Sequence, residues 1–363
     1  MKKIYNHIND FLFGFITPGL FRFLLAFIVV IYHSVDFLTL GHYAVYVFFM
    51  LSGYWIFRMY NEKYSTYKNS YYVYICSRLG RLMPLYWLIL LVSLMIYAIP
   101  AISQRLAGLE GQGLNIAAFN FLVLGLANSP HQFIGTAWSL DIEIQFYIIA
   151  PLLLLLCRKG FGWPLFLAGS VLSLLLLYNH YASENLMVYL PYFVIGGLIY
   201  HFNIQATRNF AIISLFLLLA ILCMNYIVPA LRADYLLNRR AYVLGFNYRE
   251  GLNVILAILT IPFLTINVRQ VSKKEMAEAE QIWSSMSYVI YLLHWPLLLV
   301  YSVCVTGVGG KTKVIYLSIF YIICIGLSFL IAKYIDARFE KRRRKWIGKM
   351  EKKQELKMST INS

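Results

Sequence analysis

Apolar residues gather along this chain into ten long stretches, near 18–38, 43–60, 82–100, 136–157, 162–180, 186–202, 209–228, 251–267, 284–306 and 314–335. Each approaches the roughly 20 residues that an α-helix needs to cross hydrocarbon. Lipid offers the backbone no water to bond, so such stretches satisfy their N–H and C=O groups within helices. An eleventh stretch, Leu114 to Leu126, is shorter and is interrupted by Asn115, Asn120 and Gly125. It reads as an interfacial or re-entrant helix, since counting it as a span would put one terminus on the wrong side. The pattern predicts an all-α polytopic membrane protein with about ten transmembrane helices in one bundle.

No linker rich in Pro, Gly or Ser divides the chain, and no short-period repeat is visible. The expected organisation is therefore one transmembrane domain over 1–345 and a basic cytoplasmic tail over 346–363. The longer polar stretches are 59–81, 101–113, 229–250, 268–283 and everything after 336. Within them SKKEMAEAEQIW reads as a surface helix of mixed charge, and the chain beyond Lys345 as a frayed end.

Composition supports the membrane reading. The 363 residues are 60% hydrophobic and 13% charged, with mean hydropathy +0.66, outside the range of soluble domains. Charge orients the spans. With both termini inside, the inner segments hold Arg58, Lys63, Lys68, Arg78, Arg81, Arg158, Lys159, Arg208, Arg269, Lys273 and Lys274 besides the tail. The outer loops hold fewer cations, although Arg232, Arg239, Arg240 and Arg249 run against the rule. The formal charge of +16 is not a nucleic-acid footprint, because much of it lies between Arg338 and Lys357, where it suits anionic lipid headgroups. The five cysteines are scattered and lack metal or disulfide spacing, and no cleavable signal peptide is expected.

Candidate chemistry begins in the first span. Arg22 and His33 enclose ten apolar residues, RFLLAFIVVIYH. Eleven helical steps return the two groups to nearly the same face, roughly 16 Å apart along the axis. Ionisable groups in a membrane helix are costly and mark a lined cavity or reaction path. His33 is a candidate general base, with Asp36 at i+3 placed to orient or stabilise its ring; the alternative is a histidine bonded to a neighbouring helix for packing. Arg78 and Arg81 share a face at i,i+3, and guanidinium forks suit phosphates, but both also serve as positive-inside anchors.

Later spans add further candidates. Glu143 can orient a hydroxyl, pair with an arginine or assist His33, and Asp141 lies two residues away on another face. Trp138 is either an interfacial belt residue or a sugar-stacking platform. His294, with Tyr288 and Tyr291 at helical spacing, either lines a substrate path or satisfies a buried polar cluster. Ser52 and Gly53 suit close helix approach, since no G-x-S-x-G elbow surrounds the serine. His7, His42, His131, His180 and His201 have no metal-ligand spacing, and neither H-E-x-x-H nor G-x-x-x-x-G-K occurs. No metal is expected.

Five ordered elements resemble the acyltransferase-3 family of integral membrane O-acyltransferases. Arg22 and His33 resemble its R-x10-H signature, and GHYAVYVFFMLSGYWI (41–56) its FF-x-LSG element. RLGRLMPLYW (78–87), WSLDIEIQFYIIAP (138–151) and SYVIYLLHWP (287–296) resemble the three that follow. The resemblance implies transfer of acetyl from acetyl-CoA, held at Arg22, Arg78 and Arg81, to a hydroxyl of a surface or lipid-linked glycan such as O-antigen, capsule or exopolysaccharide. His33, Asp36 and Glu143 would be catalytic, and Trp138, Asp141, Tyr291 and His294 would bind the acceptor. Acyl-CoA would be a substrate, with no permanently bound cofactor, and the location a bacterial inner membrane. The rival readings are a transporter or exporter of a glycan or acylated intermediate, and a membrane acyltransferase acting on lipid or protein.

Overall fold

A computed structural model describes residues 11–35, 40–106, 112–178, 184–227, 242–243, 246–270 and 277–361. Twelve principal helices carry the described chain: α1 Pro18–Ser34, α2 Gly41–Glu62, α3 Ser70–Tyr97, α4 Gly113–Leu122, α5 Trp138–Leu156, α6 Gly162–Tyr178, α7 Leu186–His201, α8 Arg208–Ile227, α9 Tyr248–Asn267, α10 Ala277–Cys304, α11 Gly310–Ile331 and α12 Ala337–Ile361. Among the described residues each of the ten apolar stretches is carried mainly by one of these helices. Among the described residues the fold is all-α apart from an antiparallel ribbon of two two-residue strands that pairs Tyr242 with Asn247 and Val243 with Phe246.

Local chemistry explains where these helices stop. Thr17 caps α1, accepting from the Leu20 N–H at 3.3 Å, and Pro18 supplies a first helical residue that needs no donor. The Glu280 carboxylate accepts from Gly19 N–H at 2.6 Å, a negative group at the positive end of the helix. The ten-residue α4 is about 15 Å long, too short to span, as its interrupted sequence implied. It ends at Val123 in left-handed backbone (φ 60), followed by Gly125 (φ 76). Gly160, at φ 89, breaks the helical path between α5 and α6.

Three polar segments are more ordered than their sequence suggested. Helix α3 begins at Ser70, so part of the 59–81 stretch extends the third span, with Val73, Tyr74 and Ser77 buried. Residues 277–283 of the mixed-charge segment are the first turns of α10 rather than a separate surface helix. Beyond Lys345 the chain stays helical to Ile361 instead of fraying. Ile347 is buried there, Trp346 meets Tyr72 edge-on at 6.4 Å, and Tyr67 Oη donates to Glu351.

The described residues form two compact units. One is drawn from Met1–Trp55, Leu156–Ala182 and Met187–Ser287; the other from Ile56–Leu155, Ser183–Leu186 and Tyr288–Ser363. In the first, α2 and α7 cross so closely that Gly53 faces the Phe193 carbonyl and Gly196 the Met50 carbonyl. That is the close approach expected of Gly53. Tyr43 ties α2 to α9, its N–H donating to Asn253 and its hydroxyl meeting Thr260.

Polarity is turned inside out, as lipid requires. Asn120, Asp141, Asn253, Thr260 and His294 are buried, whereas Ile315, Ile319, Ile322 and Leu330 of α11 are exposed. Ser70–Tyr97, Gly135–Leu176, Ala277–Cys304 and Gly310–Lys352 are long and apolar enough to cross a membrane, and shorter apolar helices accompany them. This is a multi-pass membrane protein. All five cysteines are free.

Candidate active site

Helix α1 delivers the candidate pair in the first unit. It runs without a break from Pro18 to Ser34, so Arg22 and His33 lie about 16 Å apart along its axis and within about 20° of one face. Both are half-buried on a helix otherwise mostly apolar. The Arg22 guanidinium sits 5.5 Å from the centre of the Trp55 ring, a cation–π contact that orients it. At the other end, the His33 ring meets Tyr32 edge-on at 4.8 Å. Tyr32 in turn rests on Gly41, where a Cβ would come within 2.4 Å of its ring. Further aromatic contacts lead from Tyr32 through His42 and Tyr46 to Tyr192, the last two stacked at 4.4 Å. Asp36 lies outside the described residues.

The second unit holds the remaining candidates. Arg78 lies 5.7 Å from the Tyr64 ring. Arg81 Nη1 donates to both carboxylate oxygens of Asp336, at 2.7 and 2.8 Å. Asp336 is 2% exposed and belongs to a π-helical turn, Ala332–Asp336, that joins α11 to α12. Arg81 is thus already committed to a carboxylate through one nitrogen.

Glu143, half-buried on α5, accepts from Tyr147 Oη at 2.7 Å. Its charge is also felt at Tyr74, Tyr288 and Tyr291. Asp141 is fully buried, and its oxygens accept from Gly125 N–H, Ala127 N–H and Gln145 Nε2 at 3.1, 2.9 and 2.9 Å. It clamps the left-handed turn after α4, and whatever it does for an acceptor it does while holding that loop. Tyr291 Oη meets Ser139 Oγ at 2.6 Å, and its carbonyl accepts from Thr136. His294 is buried with Nδ1 2.9 Å from the Ile290 carbonyl. A carbonyl only accepts, so Nδ1 carries a proton. Trp138, the first residue of α5, is half-buried.

Four residues not singled out in the sequence hold the candidates in place: Trp55 under Arg22, Tyr64 under Arg78, Asp336 on Arg81 and Tyr147 on Glu143. Tyr147 was legible as the i+4 neighbour of Glu143. Asp336 stands 255 residues from Arg81, and no local pattern announces it.

A family model described as an acyltransferase domain matches residues 17–333 of the 363. The chain belongs to the acyltransferase-3 family. No curated protein and no solved structure matches it. The match begins at the Thr17 cap and takes in Arg22, His33, Arg78, Arg81, Glu143 and His294. It ends before Asp336 and α12. The protein is therefore a membrane acyltransferase, and the transporter reading loses its footing.

Proposed function

We propose that this acyltransferase moves acetyl from acetyl-CoA to a hydroxyl of a surface or lipid-linked glycan. One observation carries the reading: an acyltransferase-3 chain places a guanidinium and an imidazole on one face of an unbroken membrane helix, separated by about 16 Å. That separation suits a donor whose anionic nucleotide end and reactive thioester lie at opposite ends of a long arm.

In this mechanism Arg22 meets a phosphate of the donor, with Arg78 as a second cation and Arg81 positioned by Asp336. The pantetheine arm runs along α1 and brings the thioester carbonyl to His33. His33 takes the proton of the acceptor hydroxyl as its oxygen attacks that carbonyl. The tetrahedral intermediate then expels CoA thiolate, the C–S bond breaks, and the imidazolium returns its proton to sulfur. An ester and free CoA result. Asp36, at i+3 from His33, stabilises the imidazolium, and Glu143 with Tyr147 supplies a carboxylate for the acceptor. Trp138 and Tyr291 shape the acceptor region, while Asp141 and His294 maintain it. The charge pattern supports cytoplasmic termini in an inner membrane, with donor entry from the cytosol.

Sidedness tests the proposal. In proteoliposomes of known orientation, acetyl-CoA supplied only at the face bearing the termini should acetylate a glycan acceptor available only at the other face. Activity only when both substrates share one face would overturn transfer across the membrane, and absence of acetylation from acetyl-CoA with any glycan acceptor would overturn the donor and acceptor assignment.

A further inference from the structure

Beyond the matched domain, α12 lies against the N-terminal turns of α3. Arg343 fixes the contact: Nη1 donates to Ser77 Oγ at 2.6 Å, and Nε and Nη2 donate to the Glu340 oxygens at 2.8 and 2.7 Å. Ser77 Oγ also meets Tyr64 Oη at 2.7 Å. Beside this contact a cleft of about 380 Å³ opens, lined by Gly80 and Pro84 of α3 and by Phe339, Arg342, Arg343 and Trp346 of α12.

The lining joins two chemistries. Gly80 leaves the floor open, since a Cβ there would meet nothing nearer than the Arg343 stem at 3.9 Å. Phe339, Pro84 and Trp346 make the walls apolar. The charge is one-sided: Lys341 to Lys345 is a run of five cations, of which Glu340 pairs with Arg343 and Arg344. Arg342 is exposed and forms no ion pair among the described residues. Lys345 and Lys349 follow at i+3 and i+7, on the same side of the helix.

The place of the cleft along the chain identifies its occupant. It begins where apolar α11 gives way to cationic α12, the change in character that marks a headgroup layer, and tryptophan favours the same level. Helix α11 also carries an exposed apolar surface, with Val314, Ile315, Ile319, Ile322 and Leu330 among its exposed side chains. We propose that this cleft binds one anionic phospholipid, its phosphate on Arg342 and its first methylenes along Gly80 and Pro84. The proposal does not depend on the identity of the acyl donor or acceptor.

Native mass spectrometry of the full-length protein in detergent tests it, with phosphatidylglycerol, phosphatidylcholine or free coenzyme A added separately. Wild type should retain one phosphatidylglycerol in preference to phosphatidylcholine. Arg342→Ala should lower that occupancy roughly fivefold, the worth of one cation near an anionic headgroup, and Arg342→Lys should keep most of it. Gly80→Leu fills the cleft without altering charge and should lower retention of the same lipid. Phosphatidylglycerol retained equally by wild type, Arg342→Ala and Gly80→Leu would overturn the proposal. So would coenzyme A displacing the lipid from wild type but not from Arg342→Ala, which would make the cleft a nucleotide site.

Discussion

Replacing Gly53 by alanine tests the α2–α7 crossing with a single methyl group. An alanine Cβ at Gly53 would stand 2.0 Å from the Phe193 carbonyl oxygen, and one at Gly196 would stand 1.9 Å from that of Met50. Ordinary C···O approaches in helix interfaces are no closer than about 3.3 Å. The helices must therefore part by roughly 1.3 Å, and because both obstacles are backbone, no rotamer change relieves them. Parting loosens the stack of Phe49 on Phe193 at 4.5 Å and of Tyr46 on Tyr192 at 4.4 Å. A gap of up to 1 Å already forfeits a quarter to a half of each dispersion contact. The cost falls at the upper end of the overpacking range, about 3 kcal/mol for either substitution. The double variant should cost less than the sum, since the first methyl has already separated the helices. Thermal unfolding of the purified protein in detergent reads the effect, with Gly326→Ala as control because nothing lies within 4 Å of a Cβ there. The control should be neutral or slightly stabilised. Gly53→Ala and Gly196→Ala melting with wild type and the control would refute the reasoning.

Three further outcomes follow from buried charge. Asp336→Ala leaves Arg81 without its carboxylate and should destabilise the protein by about 3–5 kcal/mol, with Arg81→Met combined with Asp336→Leu recovering much of the loss; thermal melts of the single and double variants decide this. Burial alone would raise the Glu340 carboxyl, but hydrogen bonds from Arg343 and Arg344, with the charges of Arg343 and Arg81, bring it down to about 2. A lowered folded-state value contributes stability that is complete above the unfolded value near pH 4.3 and is lost as pH falls toward 2. Melting curves of Glu340→Gln should accordingly lie below wild type at neutral pH and converge with it between about pH 4 and 2, whereas a constant offset would show that the carboxylate contributes nothing. Asp141→Ala should release the turn at Gly125 and expose the 123–137 segment to limited proteolysis, and an unchanged digestion pattern would remove its clamping role.

What was legible in the sequence was local. Ten apolar runs sufficed for ten helices because lipid forces each run to satisfy its own backbone. The Leu114–Leu126 stretch showed itself as a non-spanning helix through Asn115, Asn120 and Gly125, the last of which takes the left-handed turn after α4. The Arg22–His33 pair needed only helical periodicity, and Gly53 only its small size. What remained hidden depends on distant partners. The order of α12 rests on Ser77, 266 residues from Arg343, and on Tyr72 and Tyr67, so a strongly basic end looked free. The early start of α3 has the same cause, because its added turns are held by that helix and by Tyr64. Asp141 and Arg81 could be picked out as charged residues in membrane helices, but their tasks were fixed by Gly125, Ala127 and Asp336, which no motif couples to them.

The most direct test of His33 as the base in acyl transfer is the O-acetyl content of surface glycan, measured by mass spectrometry in a deletion strain carrying either wild-type protein or His33→Ala at equal membrane levels. The account predicts that wild type restores acetylation and that the variant loses it, in keeping with the 10²- to 10⁴-fold that a general base contributes. Acetylation at wild-type levels in the His33→Ala strain would contradict it.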